Sequence, residues 1–414
     1  MRVSRAFSRL LRLEGIWVRR VQFFTDRVVV VVALRRRRLV CPLCEFSTPH
    51  RHNQQATWST WRHLDLGVWR LELRARLRRL ECPEHGVRVE AVPFARHRSG
   101  FSHDFEALVA WLATTMDKSA ITKLLRIDWD TVGRIITRVC AEELDPDRLE
   151  NLFEIGIDEV SWKRQHNYLT VVADHLRGQI VWGTEGNDSR AANRFFRQIG
   201  RYRSQAIEVI SLDMGPGYAK SAREHAPQAI IAIDPFHVVA LANRALDDVR
   251  RGYWNKLREL DDPDAARRFK DARWSLLKKP DKLNDEQSRT LRRLRAAGGE
   301  VWRAYTLKEA LRAIFKPGLT LEDVTILIDR FTSKALRSRL GPFVRLARTI
   351  RKHRDGILHA IRLGINQGRT EALNNKVRLI TRRAYGFHTA NAALALIMLT
   401  CGPITVQPPH ELHQ

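Results

Sequence analysis

The chain has 414 residues, long enough for two to four domains, and a formal net charge of +26 at pH 7. Such a charge favours a polyanionic partner, because Lys and Arg side chains that neutralise phosphates release condensed counterions. No stretch reaches the ~20 apolar residues of a membrane helix, the N-terminus lacks an apolar signal core, and five cysteines suit a reducing compartment. We therefore expect a cytoplasmic, nucleoid-associated protein, and not a membrane or secreted one.

Residues 1–98 predict a basic, β-rich domain. The first 100 residues contain 21 Arg, no Lys and 8 acidic residues, so half of the positive surplus lies in a quarter of the chain. Planar guanidinium groups suit bidentate phosphate contact, although a GC-rich genome would produce the same bias. Strand-like runs occur at 28–34 and 68–80, and the second alternates apolar with mostly cationic residues, as expected of a strand beside DNA.

Two pairs of candidate metal ligands lie in this domain: Cys41 with Cys44, and Cys82 with His85. Zinc takes four soft or borderline ligands in a tetrahedron, and such paired spacing lets two turns converge on one ion. We predict a structural Zn²⁺ site here. The alternatives are unpaired thiols beside a surface histidine, or a site in which His50 or His52 replaces His85. The arginine run 35–38 fits a solvated face and a phosphate contact equally well. Cys140 and Cys401 lie on apolar helical faces and are expected in the core.

Residues 99–148 predict a helix-turn-helix DNA-binding domain. The stretches 120–125 and 129–140 fit two helices joined by a turn, with Asp128 as the N-cap of the second. The second helix would pack its apolar positions inward and leave Thr131, Arg134 and Arg138 exposed, where they could contact bases or phosphates. An ordinary helical hairpin that links two domains is the alternative.

Residues 149–245 predict an α/β catalytic domain. The hydrophobic periods predict elements in the order strand, strand, strand, helix, strand, helix, strand. This order matches the first five strands of a ribonuclease H-like sheet. Residues 246–360 are helical and polar-charged and would form an all-α insertion. Residues 361–402 would supply the final helices of the core, and 403–414 a tail. The predicted fold class is therefore multidomain α+β.

Three acidic residues stand where such a core would place metal-binding carboxylates: Asp158, Asp213 and Glu371. The first two end apolar strand-like runs, and the third opens a helix. Two divalent ions about 3.5–4 Å apart can activate a water or a 3′-hydroxyl in phosphodiester chemistry. Singly, each acid would more often be a turn former or a helix cap. Their separations of 55 and 158 residues fit the fold order. The nearby Asp174 closes a strand before a hairpin, where a solvated turn carboxylate is the ordinary role.

The helix that contains Glu371 should have two faces. At 100° per residue, one stripe combines the acid with amides and cations: Asn374, Asn375, Arg378 and Arg382. This stripe could hold an ion at one end and follow a phosphate backbone along its length. Separately, Asp234 and His237 form an Asp-x-x-His pair past the fifth strand. A helix cap and a packed core histidine are favoured there over a direct catalytic role.

Four sequence blocks resemble the DDE transposases of bacterial insertion sequences, in the ISL3 branch. They are GIDE at 156–159, SLDMGPGY at 211–218, DPFHVVALAN at 234–243 and GRTEALNNK at 368–376, which continues into RRAYGF at 382–387. The resemblance covers nearly the whole chain. It implies that Asp158, Asp213 and Glu371 are a catalytic triad binding Mg²⁺ or Mn²⁺, that the N-terminal domain binds zinc, and that Asp234 and His237 have an auxiliary role.

The resemblance further implies a transposase that binds the terminal inverted repeats of its element, acts on double-stranded target DNA, and assembles as a homo-oligomer on DNA. It would catalyse metal-dependent strand cleavage and strand transfer. Two alternatives remain: a DNA-binding regulator with a catalytically silent ribonuclease H-like core, and a structure-selective nuclease that never joins ends.

Overall fold

A computed structural model describes residues 2–163, 167–214, 216–259, 267, 269, 272–364, 367–384 and 387–412, without the side chains of 216, 367–371 and 374. The chain divides into two compact units. Unit 1 combines Met1–Asp145 with Ile380–Gln414, and unit 2 is Pro146–Leu379. None of the described helices combines the length and the hydropathy that a membrane span requires.

Unit 1 contains a five-stranded sheet that follows a short helix, α1 (Val3–Leu11), which the sequence analysis did not predict. Its strands and the two of a small hairpin are β1 (Ile16–Phe23), β2 (Arg27–Leu34), β3 (Leu39–Val40), β4 (Ser47–Thr48), β5 (Ala56–Leu66), β6 (Trp69–Cys82) and β7 (Gly86–Val89). The sheet order is β1-β2-β6-β5, with β7 paired to β6, and β3 pairs with β4. Along β6, Leu71, Leu73 and Ala75 are buried whereas Arg74 and Arg76 are exposed, which confirms the predicted alternation.

The helices of unit 1 come from both ends of the chain: α2 (His103–Thr115), α3 (Lys118–Leu125), α4 (Trp129–Glu143), α15 (Ala390–Cys401) and α16 (Pro409–Leu412). Ser102, Asp117 and Asp128 cap α2, α3 and α4 through side-chain oxygens that accept a backbone N–H. Helix α15 is apolar on nearly every side, so it needs neighbours all round, and it packs against α2 and α4. The predicted core segment 361–402 is thus divided here between the two units.

A buried carboxylate joins the helices of unit 1. Glu106 is fully buried, and it accepts hydrogen bonds from Arg96 at 3.0 Å, from Arg138 Nε at 2.9 Å and from Ser99 at 2.7 Å. Arg96 also pairs with Glu142 and Glu143. Because the two arginines neutralise and hydrogen-bond the buried charge, Glu106 fixes α2 to α4 and to the segment that precedes α2.

Unit 2 begins with the predicted order of strands and helices, which is confirmed: β8 (Glu154–Lys163), β9 (Asn167–Asp174), β10 (Gln179–Glu185), α5 (Ser189–Ala206), β11 (Val209–Leu212), α6 (Pro216–His225) and β12 (Ile230–Ile233). The sheet order is β10-β9-β8-β11-β12. Strand β9 is antiparallel to both β8 and β10, whereas β11 runs parallel to both β8 and β12.

The other regular elements of unit 2 that the structure describes are mainly α-helices: α7 (Pro235–Glu259), α8 (Arg273–Leu277), α9 (Asp285–Ala297), α10 (Gly299–Ile314), α11 (Leu321–Leu336), α12 (Gly341–Lys352), α13 (Arg354–Leu363) and α14 (Gln367–Arg383), the last of which continues into unit 1. Helical residues such as Leu311 and Phe343 belong to the same hydrophobic core as Ile155 and Leu212 of the sheet. At Gly356 of α13, an added Cβ would lie 2.6 Å from Ile233. The helical segment is therefore packed on the sheet through a shared core.

We expect Glu106→Ala to lower the free energy of unfolding of unit 1 by about 3–5 kcal/mol, because two guanidinium groups would lose a buried counter-charge. The matched variant Glu142→Ala removes a carboxylate whose side chain is 48% exposed, and should cost less than about 1 kcal/mol. Urea unfolding of both variants measures the difference. Equal losses would contradict a special role for the buried carboxylate.

Candidate functional site

Three carboxylates follow the ends of paired parallel strands in unit 2. The last residues of the parallel pairings among β8, β11 and β12 are in register with one another: Ile157, Leu212 and Ile233. Asp158, Asp213 and Asp234 come one position later on the three strands, so they form a row across the sheet. Ligands of α/β sheets bind at the carboxyl ends of parallel strands, where this row lies.

The placement of Asp158 differs from the prediction that it ends a strand. Strand β8 continues to Lys163, because its antiparallel pairing with β9 continues past Asp158, which pairs with Val171. The parallel partner β11, in contrast, stops at Leu212. Asp158 therefore lies just past the end of the pairing with β11, although it is still paired with β9. The β11 side is also the side on which Asp213 lies.

Two cavities open beside Asp158 and Asp213. The smaller, of about 30 Å³, is also lined by Asp234, His237 and Leu373. The larger, of about 630 Å³, is lined by the same two carboxylates and by residues of other chemistry: Glu159, Phe236, His237, Arg244 and Arg378 among them. Its size lies in the range of ligand pockets, and it brings cationic and aromatic groups next to the acids.

The negative field of these acids reaches a buried phenol. The Tyr218 hydroxyl shares a hydrogen bond of 2.8 Å with Thr170. Burial is the main cause that raises the pKa of Tyr218 well above its usual range, and the charges of Glu159, Asp213 and Asp158 raise it further. The three carboxylates therefore make the electrostatic potential at Tyr218 more negative.

Asp234 and His237 have different roles in the first turn of α7. The Asp234 carboxylate accepts the Phe236 N–H at 2.8 Å, and Pro235 is the first helical residue, which confirms the predicted cap. The interpretation of His237 as a packed core residue is wrong, because its ring is half-buried and lines both cavities.

Helix α14 begins at Gln367, so Glu371 lies in its second turn and does not open the helix. The side chains of Glu371 and Asn374 are outside the described residues. The other predicted positions confirm a two-faced helix: Leu373, Val377 and Ile380 are buried, whereas Asn375, Arg378 and Arg382 are exposed. Because Leu373 lines the smaller cavity, α14 packs beside the row of carboxylates.

The predicted zinc ligands come together in unit 1. The potential ligand atoms of Cys41, Cys44, Cys82 and His85 all lie within 4.8 Å of one another. Cys44 Sγ lies 3.6 Å from Cys82 Sγ, and His85 Nδ1 lies 3.6 Å from Cys82 Sγ and 3.8 Å from Cys41 Sγ. These separations fit the edge of about 3.8 Å of a tetrahedron with Zn–S bonds of about 2.3 Å.

The environment of the cluster also favours His85 over the alternatives. Burial would raise the pKa of the Cys82 thiol, but hydrogen bonds from the backbone of His85 and Glu84 and from the His85 ring lower it to about 6. The thiolate is the form that binds zinc. His52 contacts Glu81 at 3.2 Å and His50 is exposed, and neither belongs to the cluster. Cys140 and Cys401 are buried, as predicted.

The helix-turn-helix residues are only partly placed as predicted. Asp128 caps α4, but Thr131 is 5% exposed and donates its hydroxyl to Asp128 at 2.6 Å, so its predicted exposure is wrong. Arg138 is also not free on the surface, because it pairs with the buried Glu106. Arg134 is exposed as predicted. The exposed stripe of α4 consists of Asp130, Arg134, Thr137 and Ala141.

Comparison with known proteins decides the family. A family model described as a transposase, of the DDE type in family ISL3, matches residues 155–397. A second model, the helix-turn-helix domain of transposase family ISL3, matches residues 90–140. The chain is 40% identical over 402 residues to the transposase for insertion sequence element IS1557 of Mycobacterium tuberculosis, an alignment that covers 91% of this chain and 89% of the relative. It is 28% identical over 357 residues to the transposase for insertion sequence element IS1001 of Bordetella parapertussis, with 84% and 85% covered.

The chain belongs to the ISL3 family of transposases. The predicted resemblance is thereby confirmed, and so is the helix-turn-helix domain, which α2, α3 and α4 form. Membership of this family makes the protein a DNA-binding transposase and implies a divalent metal for its DDE domain.

The sequence analysis missed a contact that lies beneath the carboxylates of this ISL3 transposase. His175 Nε2 and Ser211 Oγ are 2.7 Å apart, and Ser211 is the register partner of Gly156. A Cβ at Gly156 would lie 2.8 Å from His175 Cε1 and 3.0 Å from Ser211 Oγ. Only glycine lets the imidazole cross β8 to reach β11. The signal in the sequence was a glycine inside a strand pattern.

Asp174 holds the turn from which His175 projects. Its carboxylate is 1% exposed and accepts the N–H groups of Leu176 and Arg177 at 2.8 and 3.1 Å. The predicted turn role is confirmed, but the prediction of a solvated carboxylate is wrong. Burial lowers the pKa of His175, so its ring is neutral when it bonds Ser211. Gly156 and Ser211 each lie two residues before a carboxylate of the row, so this contact is on the same sheet face.

Gly156→Ala should lower the free energy of unfolding of unit 2 by about 1–3 kcal/mol, because the added methyl collides with His175 and Ser211. Gly252→Ala, on an exposed position of α7 where an added Cβ meets nothing within 4 Å, should instead stabilise the helix by about 0.5–1 kcal/mol. Thermal unfolding of the two variants compares them. A neutral Gly156→Ala variant would show that the close approach is not required.

Cys82→Ser should remove bound zinc and lower the thermal stability of unit 1, because zinc-binding free energy is folding free energy at such sites. The control Cys140→Ser changes a buried cysteine of α4 outside the cluster and should keep its zinc. Elemental analysis of purified protein, with melting curves before and after chelation, measures both effects. Full zinc content in the Cys82→Ser variant would contradict the assignment.

Proposed function

We propose that this transposase cleaves and joins DNA strands at the terminal inverted repeats of its insertion sequence, with divalent Mg²⁺ or Mn²⁺ held by Asp158, Asp213 and Glu371. The observation that carries the proposal is that Asp158 and Asp213 each follow the last residue of the parallel pairing between β8 and β11, and that both line a cavity of about 630 Å³. The substrate follows from the relatives, which are named transposases for insertion sequence elements.

The donor set suits a hard cation. Carboxylate oxygens are the ligands that Mg²⁺ and Mn²⁺ prefer, and adjacent strands are only about 4.8 Å apart, which allows two carboxylates to share ions. Burial is the main cause of the raised pKa of Tyr218, and the charges of Glu159, Asp213 and Asp158 add to it, which agrees with a site whose charge a cation would balance. When bound, such ions supply an activated water or 3′-hydroxyl and stabilise the leaving oxygen.

The other residues of the larger cavity would hold the DNA. Arg244 is exposed on α7 and Arg378 is exposed on α14, and both line the cavity that the carboxylates line. Their guanidinium groups would bind phosphate oxygens on either side of the scissile bond. Asn375, one helical turn before Arg378, extends this polar face. By capping α7, Asp234 positions His237 toward the same cavity.

The topology supports a ribonuclease H-like core. Three antiparallel strands, β8 to β10, are followed by β11 and β12, which are added in parallel on the other side of β8. This arrangement agrees with the order predicted from the sequence. It leaves Asp158 of β8 next to Asp213, which follows β11, with α14 packed beside them.

Recognition of the inverted repeats would use α4. Arg134 is its exposed cation, and it could contact a guanine edge or a phosphate in the major groove. Arg382, at the end of α14, is a further candidate for a phosphate contact. Transposition brings two ends together, so we also propose a homo-oligomer on DNA.

The carboxylates can be tested one at a time. Asp158→Asn, Asp213→Asn and Glu371→Gln should each reduce metal-dependent nicking of inverted-repeat DNA by about 10³-fold or more, as the loss of several kcal/mol of charge stabilisation implies. Glu224→Gln, which removes an exposed carboxylate of α6, should leave nicking unchanged. DNA affinity, measured by gel shift, should stay within about twofold in all four variants.

The products separate the alternatives. Metal-dependent cleavage retained by Asp213→Asn would refute the assignment of the ligands. Wild-type protein that binds the repeats but never nicks them would support a regulator, and hydrolysis without strand transfer would support a nuclease.

A further inference from the structure

The arginine run 35–38, a candidate phosphate contact from the sequence, is largely used by the protein itself. Arg35 donates to the Ile16 carbonyl at 2.6 Å and lies over the Trp17 ring at 4.2 Å. Arg36 donates to the Ala91 carbonyl, and Arg38 donates to Ser47. These bonds connect the arginine run to β1, to the segment after β7 and to β4. The phosphate-binding charge of unit 1 must therefore be sought elsewhere.

A cavity of about 640 Å³ lies in unit 1 where β5, the end of β6, β7 and the segment before α2 meet. Its lining includes Arg79 of β6, Arg88 of β7, and His97 and Arg98 of the segment, together with Glu90 and Arg96. We call this the basic groove. The segment leads directly into Ser102, the N-cap of α2, so the basic groove adjoins the helix-turn-helix domain.

Glu90, the acid in the lining of the basic groove, is already neutralised. Glu90 is buried, and it accepts bonds from Arg78 Nε at 2.8 Å and Nη2 at 2.6 Å. Arg96, which also lines the groove, is committed to Glu106 and two further acids. The three remaining arginines contact neutral groups where the structure describes their bonds: Arg79 reaches Gln55 and Arg88 reaches the Val87 carbonyl. The groove thus keeps three positive charges.

The positive charge of the groove affects the pKa of the His97 imidazole. Burial is the first cause that lowers the pKa of His97, and the charges of Arg98 and Arg88 lower it further. The lowering by the two arginines reflects a positive electrostatic potential in the groove. Phosphate groups are the ligands that would relieve it.

Arg98 has an unusual backbone conformation for a long side chain. Its φ is 58°, in the left-handed region that favours glycine. Arg12 and Arg126 share this conformation as C-caps of helices, but Arg98 belongs to an irregular segment. Strained residues of this kind collect at functional sites.

Helix α4 needs a separate basic surface beside it to hold the DNA backbone. The exposed stripe of α4 has one cation, Arg134, and one acid, Asp130, and its other two members, Thr137 and Ala141, are uncharged. Because the two charges cancel, this stripe can contribute to base reading, but it carries no positive surplus with which to hold a phosphate backbone.

We propose that the basic groove binds the sugar-phosphate backbone of DNA next to the site read by α4, with Arg79, Arg88 and Arg98 each contacting a phosphate. The inference rests on the DNA-binding part of the proposed function and is independent of its catalytic part. Phosphate contacts position a protein without reading sequence, so the groove should add affinity and salt dependence but no base preference.

The test is a triple variant of the full-length, zinc-loaded protein: Arg79→Gln, Arg88→Gln and Arg98→Gly. Glycine adopts the backbone of Arg98 without strain, so that substitution removes the side chain and its charge without adding backbone strain. Affinity for an inverted-repeat duplex and for an unrelated duplex is measured across a range of salt concentrations. Loss of three phosphate contacts should reduce the slope of log affinity against log salt by about 2.7. Both duplexes should weaken by the same factor, so their affinity ratio should stay within about twofold.

The matched control removes the same charge from exposed positions of α9 in unit 2: Arg289→Gln, Arg292→Gln and Arg293→Gln. It should leave the salt slope unchanged. Arg134→Ala should instead reduce the ratio between the two duplexes. Zinc content and melting temperature equal to those of the wild type establish that the triple variant is folded.

An unchanged salt slope in the folded triple variant would overturn the proposal. So would a variant that loses only self-association, because the groove would then bind an acidic segment of another copy. Wild-type protein that binds neither duplex would overturn the proposed function together with this inference. If the wild type nicks DNA and the variant nicks it equally at saturating DNA but with the reduced slope, the groove is assigned to binding alone.

Discussion

The parallel pairing of β11 with β8 is the constraint on which the candidate active site depends. It aligns Leu212 with Ile157, and thereby places Asp213 beside Asp158. A slip of one residue would turn the Asp213 side chain to the opposite face of the sheet, where it could not share a cation with Asp158. The hydrogen bond between His175 and Ser211, which crosses β8 at Gly156, holds this register just below the carboxylates.

Acids of the two units have different surroundings. Glu106 and Glu90 are buried, and each is neutralised by an arginine that donates directly to it. Asp158 and Asp213 instead lie on a cavity, and their charge is felt by Tyr218 in the interior. Glu106 and Glu90 therefore have arginine partners in the interior, and Asp158 and Asp213 line a cavity that a cation and a phosphate could enter.

The features that could be predicted from the sequence are those determined by short stretches of it. The order of strands and helices from β8 to β12, the zinc spacing and the Asp128 cap follow from periodicity, ligand chemistry and capping rules. Exposure on α4 was predicted less well. A helical wheel gives only the angle at which a side chain leaves the helix axis. It does not reveal that Arg138 pairs with Glu106, which lies on another helix. Similarly, nothing near Asp158 in the sequence reveals that β9 continues to pair beyond it while β11 stops.

The arginine bias of the N-terminal region also has a structural component that charge alone does not reveal. Arg78 binds Glu90 through two nitrogens and also donates to carbonyls of the 35–38 run, and Arg96 bridges three carboxylates. The planar fork of a guanidinium makes several directed bonds at once, whereas a lysine ammonium is a point charge. At these positions arginine is required by the fold, whatever the base composition of the gene. Net charge therefore overstates the surface available to DNA, and the arginines that remain for phosphates are those without a carboxylate to neutralise, as in the basic groove.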